Sequence, residues 1–246
     1  MLVLLPPSET KRDGGDADAP LDLSALSYPG LTAQRRASIA AVKKLSRNIA
    51  DSSTALGLGP TQRFEIDRNR ALTTAPTMPA IDRYTGVLYE GLGSGTLDAA
   101  ARAWLGNHVA VHSALFGLLG AHDRVPAYRL SHDSRVPGLA LRAHWATAVA
   151  AELASHQGLM LDFRSEAYAH LGPRPEGSFY LRVVTDAPGG LKRALNHFNK
   201  KGKGEFVRAL AESRVDFVDV AGLLAWANGS GIQLERGAEG ELQLTV

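Results

Sequence analysis

Cysteine is absent from all 246 residues, which removes disulfides, thiolate nucleophiles and cysteine-based metal sites. That absence suits a reducing compartment, and a cytoplasmic protein is expected. Net charge is scarce as well: 27 basic against 25 acidic residues leave a formal +2, so any nucleic-acid contact must rest on local clustering of cations. Long apolar runs are missing. Leu2-Val3-Leu4-Leu5 is stopped by Pro6-Pro7, too soon for a signal-peptide core or a membrane span, so it reads as a short buried strand and no membrane partner is expected. There is no Walker lysine loop, no H-E-x-x-H pair and none of the usual catalytic triads. His108 and His112 lie four apart on an expected strand, but no third ligand can be placed beside them, so no metal site and no cofactor are expected.

What is present is an ordinary globular composition, 45% apolar and 21% charged, in a chain long enough to bury a sizeable core. The stretch around which the rest is arranged runs from His112 to Arg129, H-S-A-L-F-G-L-L-G-A-H-D-R-V-P-A-Y-R. A strand over Asn107 to His112 feeds an apolar turn with Gly117 and Gly120, after which Asp123, Tyr128 and Arg129 follow in quick succession. A buried strand that delivers an acid, a phenol and a guanidinium to one rim is how site-bearing loops are commonly built. The plain alternative makes Asp123 a cap, Arg129 a surface ion pair and Tyr128 a core residue with a wet tip.

Along the chain, Pro6 to Arg12 leaves the first strand carrying Ser8, Thr10, Lys11 and Arg12, and Asp13 to Pro20 reads as a surface loop. Thr32 to Ala50 reads as a helix with Ile39, Val42, Leu45 and Ile49 facing the core and Arg36, Lys43 and Arg47 on another face. Thr61 to Leu72 reads as a second helix. Ile81 to Tyr89, then Gly91-Leu92-Gly93, then Thr96 to Leu105 gives the outline of a helix-hairpin-helix, in which two glycines expose N–H groups to a phosphate. The same glycines also suit a helix C-cap. Leu141 to His156 is an alanine-rich helix around Trp145. Leu159 to Phe163 is a buried strand whose end carries Asp162, Arg164, Ser165, Glu166 and Tyr168, where open α/β sheets hold ligands; alternatively Ser165 or Asp162 merely caps a helix. Ser178 to Val184 is a strand, and Leu191 to Asn199 fits either strand or helix. Lys200, Lys201 and Lys203, spaced by glycines before a helix over Glu205 to Glu212, form either an anion site or a solvated turn. Phe217 to Asn228 is a helix, and Ile232 to Arg236 pairs with Glu241 to Val246 as a closing hairpin.

Taken together, L-V-L-L-P-P-S-E-T-K, Y-T-G-V-L-Y-E-G-L, the His112 to Leu130 stretch, L-D-F-R-S-E-A-Y and F-N-K-K-G-K-G resemble the YaaA family of peroxide-stress proteins in order and spacing across nearly the whole chain. Two departures stand out. Many members read P-A-K-T where this chain has Pro7 to Lys11, and K-K-A-R-G where it has Lys200 to Gly204, which places a lysine where arginine would offer two parallel donors. The resemblance implies a single mixed α/β domain over 1–246, with a central mixed sheet, surrounding helices, a helix-hairpin-helix-like element and a helical subregion within 32–106. It also implies a basic cleft that binds double-stranded DNA and limits iron-dependent damage under peroxide. By the same resemblance, Leu191 to Asn199 is expected as strand.

On this reading Ser8, Lys11, Gly91, Gly93, Arg129, Ser165, Lys200, Lys201 and Lys203 hold phosphate. The competing reading is an enzyme acting on a nucleotide, a damaged base or another small anion in the same cleft, with Asp123, Glu166, Tyr128 and Lys11 as its catalytic groups. A protein-interaction module is a third reading. Both cleft readings need the N-terminal lysine, Tyr128-Arg129 and the late lysines to share one hollow.

Overall fold

Leu2–Leu5 (β1) is buried at every position, and it occupies the middle of the sheet rather than an edge. An all-apolar strand requires neighbours on both sides and cover on both faces, which is how parallel strands are normally housed. In the computed structural model, which describes residues 1–187, 191–194 and 198–246 (side chains outside 186–198), those neighbours are Val109–Ser113 (β3) and Met160–Asp162 (β6), both parallel to β1. With Gly117–Gly120 (β4), Phe179–Ala187 (β7), Leu234–Arg236 (β9) and Glu241–Thr245 (β10), the order across the sheet is β4-β3-β1-β6-β7-β10-β9, and Leu191–Ala194 (β8) pairs with β7 as an eighth strand. β7 runs parallel to β6 and to β10; β4, β8 and β9 are antiparallel to their partners. Met78–Pro79 (β2) and Arg124–Val125 (β5) make a small second sheet. The architecture is thus mixed α/β, as expected.

Several helices are shorter or more interrupted than the apolar spacing predicts, whereas the one expected over 205–212 is longer. The single helix expected over 32–50 is two, Thr32–Leu45 (α1) and Ile49–Leu56 (α2), because Asn48 turns extended and its side chain accepts from Ala50 N and Asp51 N. As a result Ile49 is exposed instead of facing the core, and Arg47 lies beyond α1 rather than in line with Lys43. Residues 61–72 hold the helix Phe64–Arg70 (α3). Ile81 to Tyr89 is divided into Ala80–Arg83 (α4) and Val87–Leu92 (α5) by extended Tyr84 and by Gly86 at φ 93°. Ala99–His108 (α6), capped by Asp98, leads directly into β3. Leu141–Ala154 (α7) and Glu166–Leu171 (α8) flank β6 in sequence, and Phe198–Ser213 (α9) and Val220–Gly229 (α10) precede the final hairpin. The 191–199 segment is strand over 191–194 and already helix at 198; 195–197 lie outside the described residues.

One apolar core runs through the molecule. Trp145 belongs to it, wholly buried, with its indole N–H donating to Ala114 O at 2.8 Å. Opposite it, Gly117 has φ 67° and leaves no room for a side chain, since a Cβ there would come within 2.7 Å of the indole. Among the described residues, no helix is long and apolar enough to cross a membrane.

A pocket at the carboxyl ends of β1 and β6

From β1 the chain moves to β3 on one side and returns after α7 to β6 on the other. The crevice at the carboxyl ends of β1 and β6 is therefore a switch point, the place where open α/β sheets take ligands. A pocket of about 410 Å³ lies there. Its walls come from Pro6 to Thr10 after β1, Thr85 to Tyr89 at the start of α5, Leu130 to His132, Ser165 and Tyr168 after β6, and Lys200 in the first turn of α9.

The loop after β1 is held in shape from both sides. Ser8 Oγ donates to Thr10 O and accepts from Thr85 N at 3.1 Å, and the hydroxyls of Thr10 and Thr85 meet at 2.9 Å. Lys11 turns inward: its Nζ donates to Ser8 O at 3.0 Å and Glu9 O at 3.1 Å and lies 4.2 Å from the Tyr128 ring centroid. Burial, the largest influence, pulls its amine down from 10.5 to about 7; Glu65 and Glu9 oppose that, and Arg129 and Arg68 reinforce it. Tyr128 OH meets Tyr84 OH at 2.7 Å and Ser113 Oγ at 2.6 Å, while Ser113 Oγ accepts from Leu115 N and Phe116 N. Burial pushes the Tyr84 phenol up to about 12 and raises that of Tyr128 well above its ordinary value, so both remain neutral donors and acceptors. Tyr89 closes the pocket wall by donating its OH to Pro6 O at 2.8 Å.

Two buried arginines fix the neighbouring loops. Arg129 has its backbone locked in both directions by the Asn69 amide, at 2.9 and 2.8 Å, and its Nη2 meets Glu9 Oε2 at 2.9 Å. Arg164 uses Nε and Nη2 for the two oxygens of Asp162, at 2.8 and 2.7 Å, and Nη1 for Gly172 O and His112 Nδ1. It thereby ties β6, β3 and the far end of α8 together. Burial and the Arg164 charge lower the His112 imidazole well below its ordinary range, so it accepts as a neutral ring.

Of the expected site residues, Ser8, Ser165 and Lys200 line the pocket, and Lys11, Tyr128 and Arg129 form the layer behind it. The N-terminal lysine and the Tyr128–Arg129 pair are thus brought together. Of the late lysines, Lys200 alone is on the pocket wall. All three lie within α9 rather than before it. Lys201 pairs with Glu205 at 3.3 Å, and Lys203 is buried, donating to Phe163 O at 3.0 Å with its amine lowered to about 8 mainly by burial. Ser165 also caps α8 through Tyr168 N. Asp123 lies at the opposite end of the sheet: it accepts from Ser27 N, Ser27 Oγ and Gly120 N, near the start of β3, and so is a loop clamp remote from the pocket. Glu166 is exposed in an adjacent groove and faces Arg182 at 3.4 Å.

The glycine pair expected to cradle phosphate is engaged elsewhere. Gly91 is inside α5, where a Cβ would come within 2.7 Å of Lys201 O on α9, and Gly93 caps α5 with its N–H donated to Tyr89 O. Helix packing and a C-cap, rather than exposed N–H groups, account for both. Thr10, Thr85, Tyr89 and His132 join the pocket without having been expected there; Tyr89 lies in the Y-T-G-V-L-Y stretch, whereas His132 has no spacing that marks it. The Asn69 clasp on Arg129 has no local sequence signal either, since it spans sixty residues. Among the described residues, no three His, Asp or Glu side chains converge as metal ligands do.

A family model described as "Peroxide stress protein YaaA" matches residues 1–234. The chain is similar to a UPF0246 protein of Corynebacterium efficiens, with 40% identity over 253 residues covering 100% of both chains. It is also similar to a UPF0246 protein of Streptomyces coelicolor, with 42% identity over 218 residues covering 85% of this chain and 82% of the relative. A match along nearly its whole length assigns the chain to the YaaA family of peroxide stress proteins.

Proposed function

We propose that the protein serves the peroxide response by binding a small, anionic, nucleotide-like group in the β1/β6 pocket. The observation that carries this reading is the pocket's position and lining together: a switch-point crevice of about 410 Å³, within the range of small-molecule sites. Thr10, Thr85 and Ser165 supply hydroxyls, Lys200 an ammonium and His132 an imidazole, a set suited to an oxyanion. Pro6, Leu88, Tyr89 and Tyr168 supply apolar and aromatic surface for an attached ring. In an enzyme version the depressed Lys11 amine and the Tyr84–Tyr128–Ser113 hydroxyls are the groups able to move a proton behind the ligand. Calorimetric titration with nucleoside 5′-monophosphates tests the reading. Binding is expected, weakened roughly 10- to 100-fold in Lys200→Ala, the usual cost of a lost charged hydrogen bond. No heat with any nucleotide would overturn it.

A second reading, supported by the exposure of Lys200 and Lys201 at the start of α9, is sequence-tolerant binding of duplex DNA that shields it from iron-dependent damage. Lys11, Lys203 and Arg129, all buried, add little to counterion release. The duplex reading therefore expects the double variant Lys200→Ala, Lys201→Ala to flatten the log–log salt slope by about two. An unchanged slope and affinity would dismiss it.

A further inference from the structure

Around the exit of β1, buried cations outnumber the carboxylates that meet them. Arg83, with no exposed surface, gives its guanidinium to the carbonyls of Val125, Arg12, Gly14 and Pro76. Lys11 makes its hydrogen bonds to carbonyls too. Buried Glu65 goes to Arg68 at 3.0 Å. Arg129 has Glu9 alone as its carboxylate among the described residues, and that contact uses half of the available edge. Nη2 meets Glu9 Oε2, while the buried Nε has no hydrogen-bond partner. Arg164 shows what a filled edge looks like in this same protein, with Nε and Nη2 each on one oxygen of Asp162.

Glu9 differs from Glu65, the buried carboxylate of this cluster. Its side chain is 62% exposed, against 10% for Arg129, and it stands on the pocket wall. We propose that the Glu9 carboxylate is a resident substitute for the ligand's anionic group: an incoming phosphate monoester takes the Nε–Nη2 edge of Arg129, and Glu9 swings out to solvent. The exchange is favoured by geometry, because an incoming phosphate can set one oxygen on each donor of that edge, as Asp162 does on Arg164, whereas Glu9 as placed reaches Nη2 alone. It is favoured by charge as well, since a dianion beside Lys11 and Arg129 offsets more of the buried positive charge than a single carboxylate. Arg129 is already in place to receive it, its backbone held by Asn69. Lys11 reports on the exchange, because Arg129 lowers its amine and Glu9 raises it.

This inference rests on the pocket reading above, and a mutant cycle separates the two. Inorganic phosphate and a nucleoside 5′-monophosphate are titrated calorimetrically into wild type, Glu9→Gln, Arg129→Lys and the double variant, each checked for a native melting transition. Glu9→Gln is expected to bind about tenfold tighter than wild type, and the gain is expected to vanish in the Arg129→Lys background. A gain that survives Arg129→Lys is a general charge effect and overturns the exchange. Equal or weaker binding by Glu9→Gln, with wild type binding normally, overturns the exchange and leaves the pocket reading standing. No binding by either protein overturns both. As an independent readout, phosphate should move the Lys11 amine titration upward in wild type when followed by NMR; a fixed titration with phosphate bound counts against it.

Discussion

Lys11 is the residue in which the competing pressures are most visible. Its amine titrates near 10.5 in an unfolded chain and about 7 here, chiefly through burial. Below pH 7 both states hold the proton and the folded protein bears the full desolvation cost. Between about pH 7 and 10.5 the unfolded chain binds more protons, so stability rises with pH, at up to about 1.4 kcal/mol per unit. Urea denaturation of wild type and Lys11→Met should therefore diverge at neutral pH and converge toward pH 10, with the variant lacking the alkaline gain. Parallel curves would show that Lys11 keeps its charge. From sequence, Lys11 stands beside Arg12 as one of two exposed-type cations. Only the folded chain, with the Tyr84 and Tyr128 rings around its amine, distinguishes the buried one from the solvated one.

At the level of elements, α5 and α9 touch backbone to backbone. A Cβ on Gly204 would come within 1.9 Å of Leu88 O, and one on Gly91 within 2.7 Å of Lys201 O. These partners are main chain and cannot rotate away, so overpacking should cost at least the usual 1–3 kcal/mol, roughly. Gly204→Ala is expected to lower stability by about 3 kcal/mol in urea and to weaken pocket binding, because α5 and α9 both line the pocket. Gly95→Ala, where a Cβ meets nothing within 4 Å, should be within about 0.5 kcal/mol of wild type. An equal effect of the two would refute tight crossing as the reason for Gly204. Glycine also explains where the folded elements depart from the sequence pattern. Alternating Lys and Gly over 200–204 looks like a turn, yet in the folded chain these residues are helical, and Gly202 and Gly204 are the side of α9 pressed against its neighbours. Likewise, Gly91 and Gly93 look like a phosphate cradle because a close-packing glycine and a capping glycine are indistinguishable from it in one dimension. The strands were easier to read: apolar β-type runs such as Leu2 to Leu5 and Phe179 to Val184 have few other homes.

For the molecule as a whole, the site depends on strand order, which periodicity does not encode. The residues 8, 85, 131, 165 and 200 converge because β1 lies between β3 and β6, not because of any spacing between them. Resemblance to a family supplied the set of segments, and the fold then sorted them, keeping Ser8, Ser165 and Lys200 on the pocket wall and placing Asp123 at the other end. Strand order also ranks local stability. Amide hydrogen exchange should be slowest in β1 with its neighbours β3 and β6, and fast in β9 at the sheet edge. Faster exchange in Leu2–Leu5 than in Leu234–Arg236 would contradict this arrangement.

The central place of β1 also sets a timetable for biosynthesis. Leu2–Leu5 leaves the ribosome before every other strand, yet one of its two flanking strands spans 109–113 and the other 160–162. Until β6 has emerged, this greasy tetrapeptide has an unfilled ladder on at least one side, a state prone to sticking. Nascent chains stalled at residue 120 should therefore be captured by holding chaperones and cleaved readily by protease, and chains released beyond β6 should not.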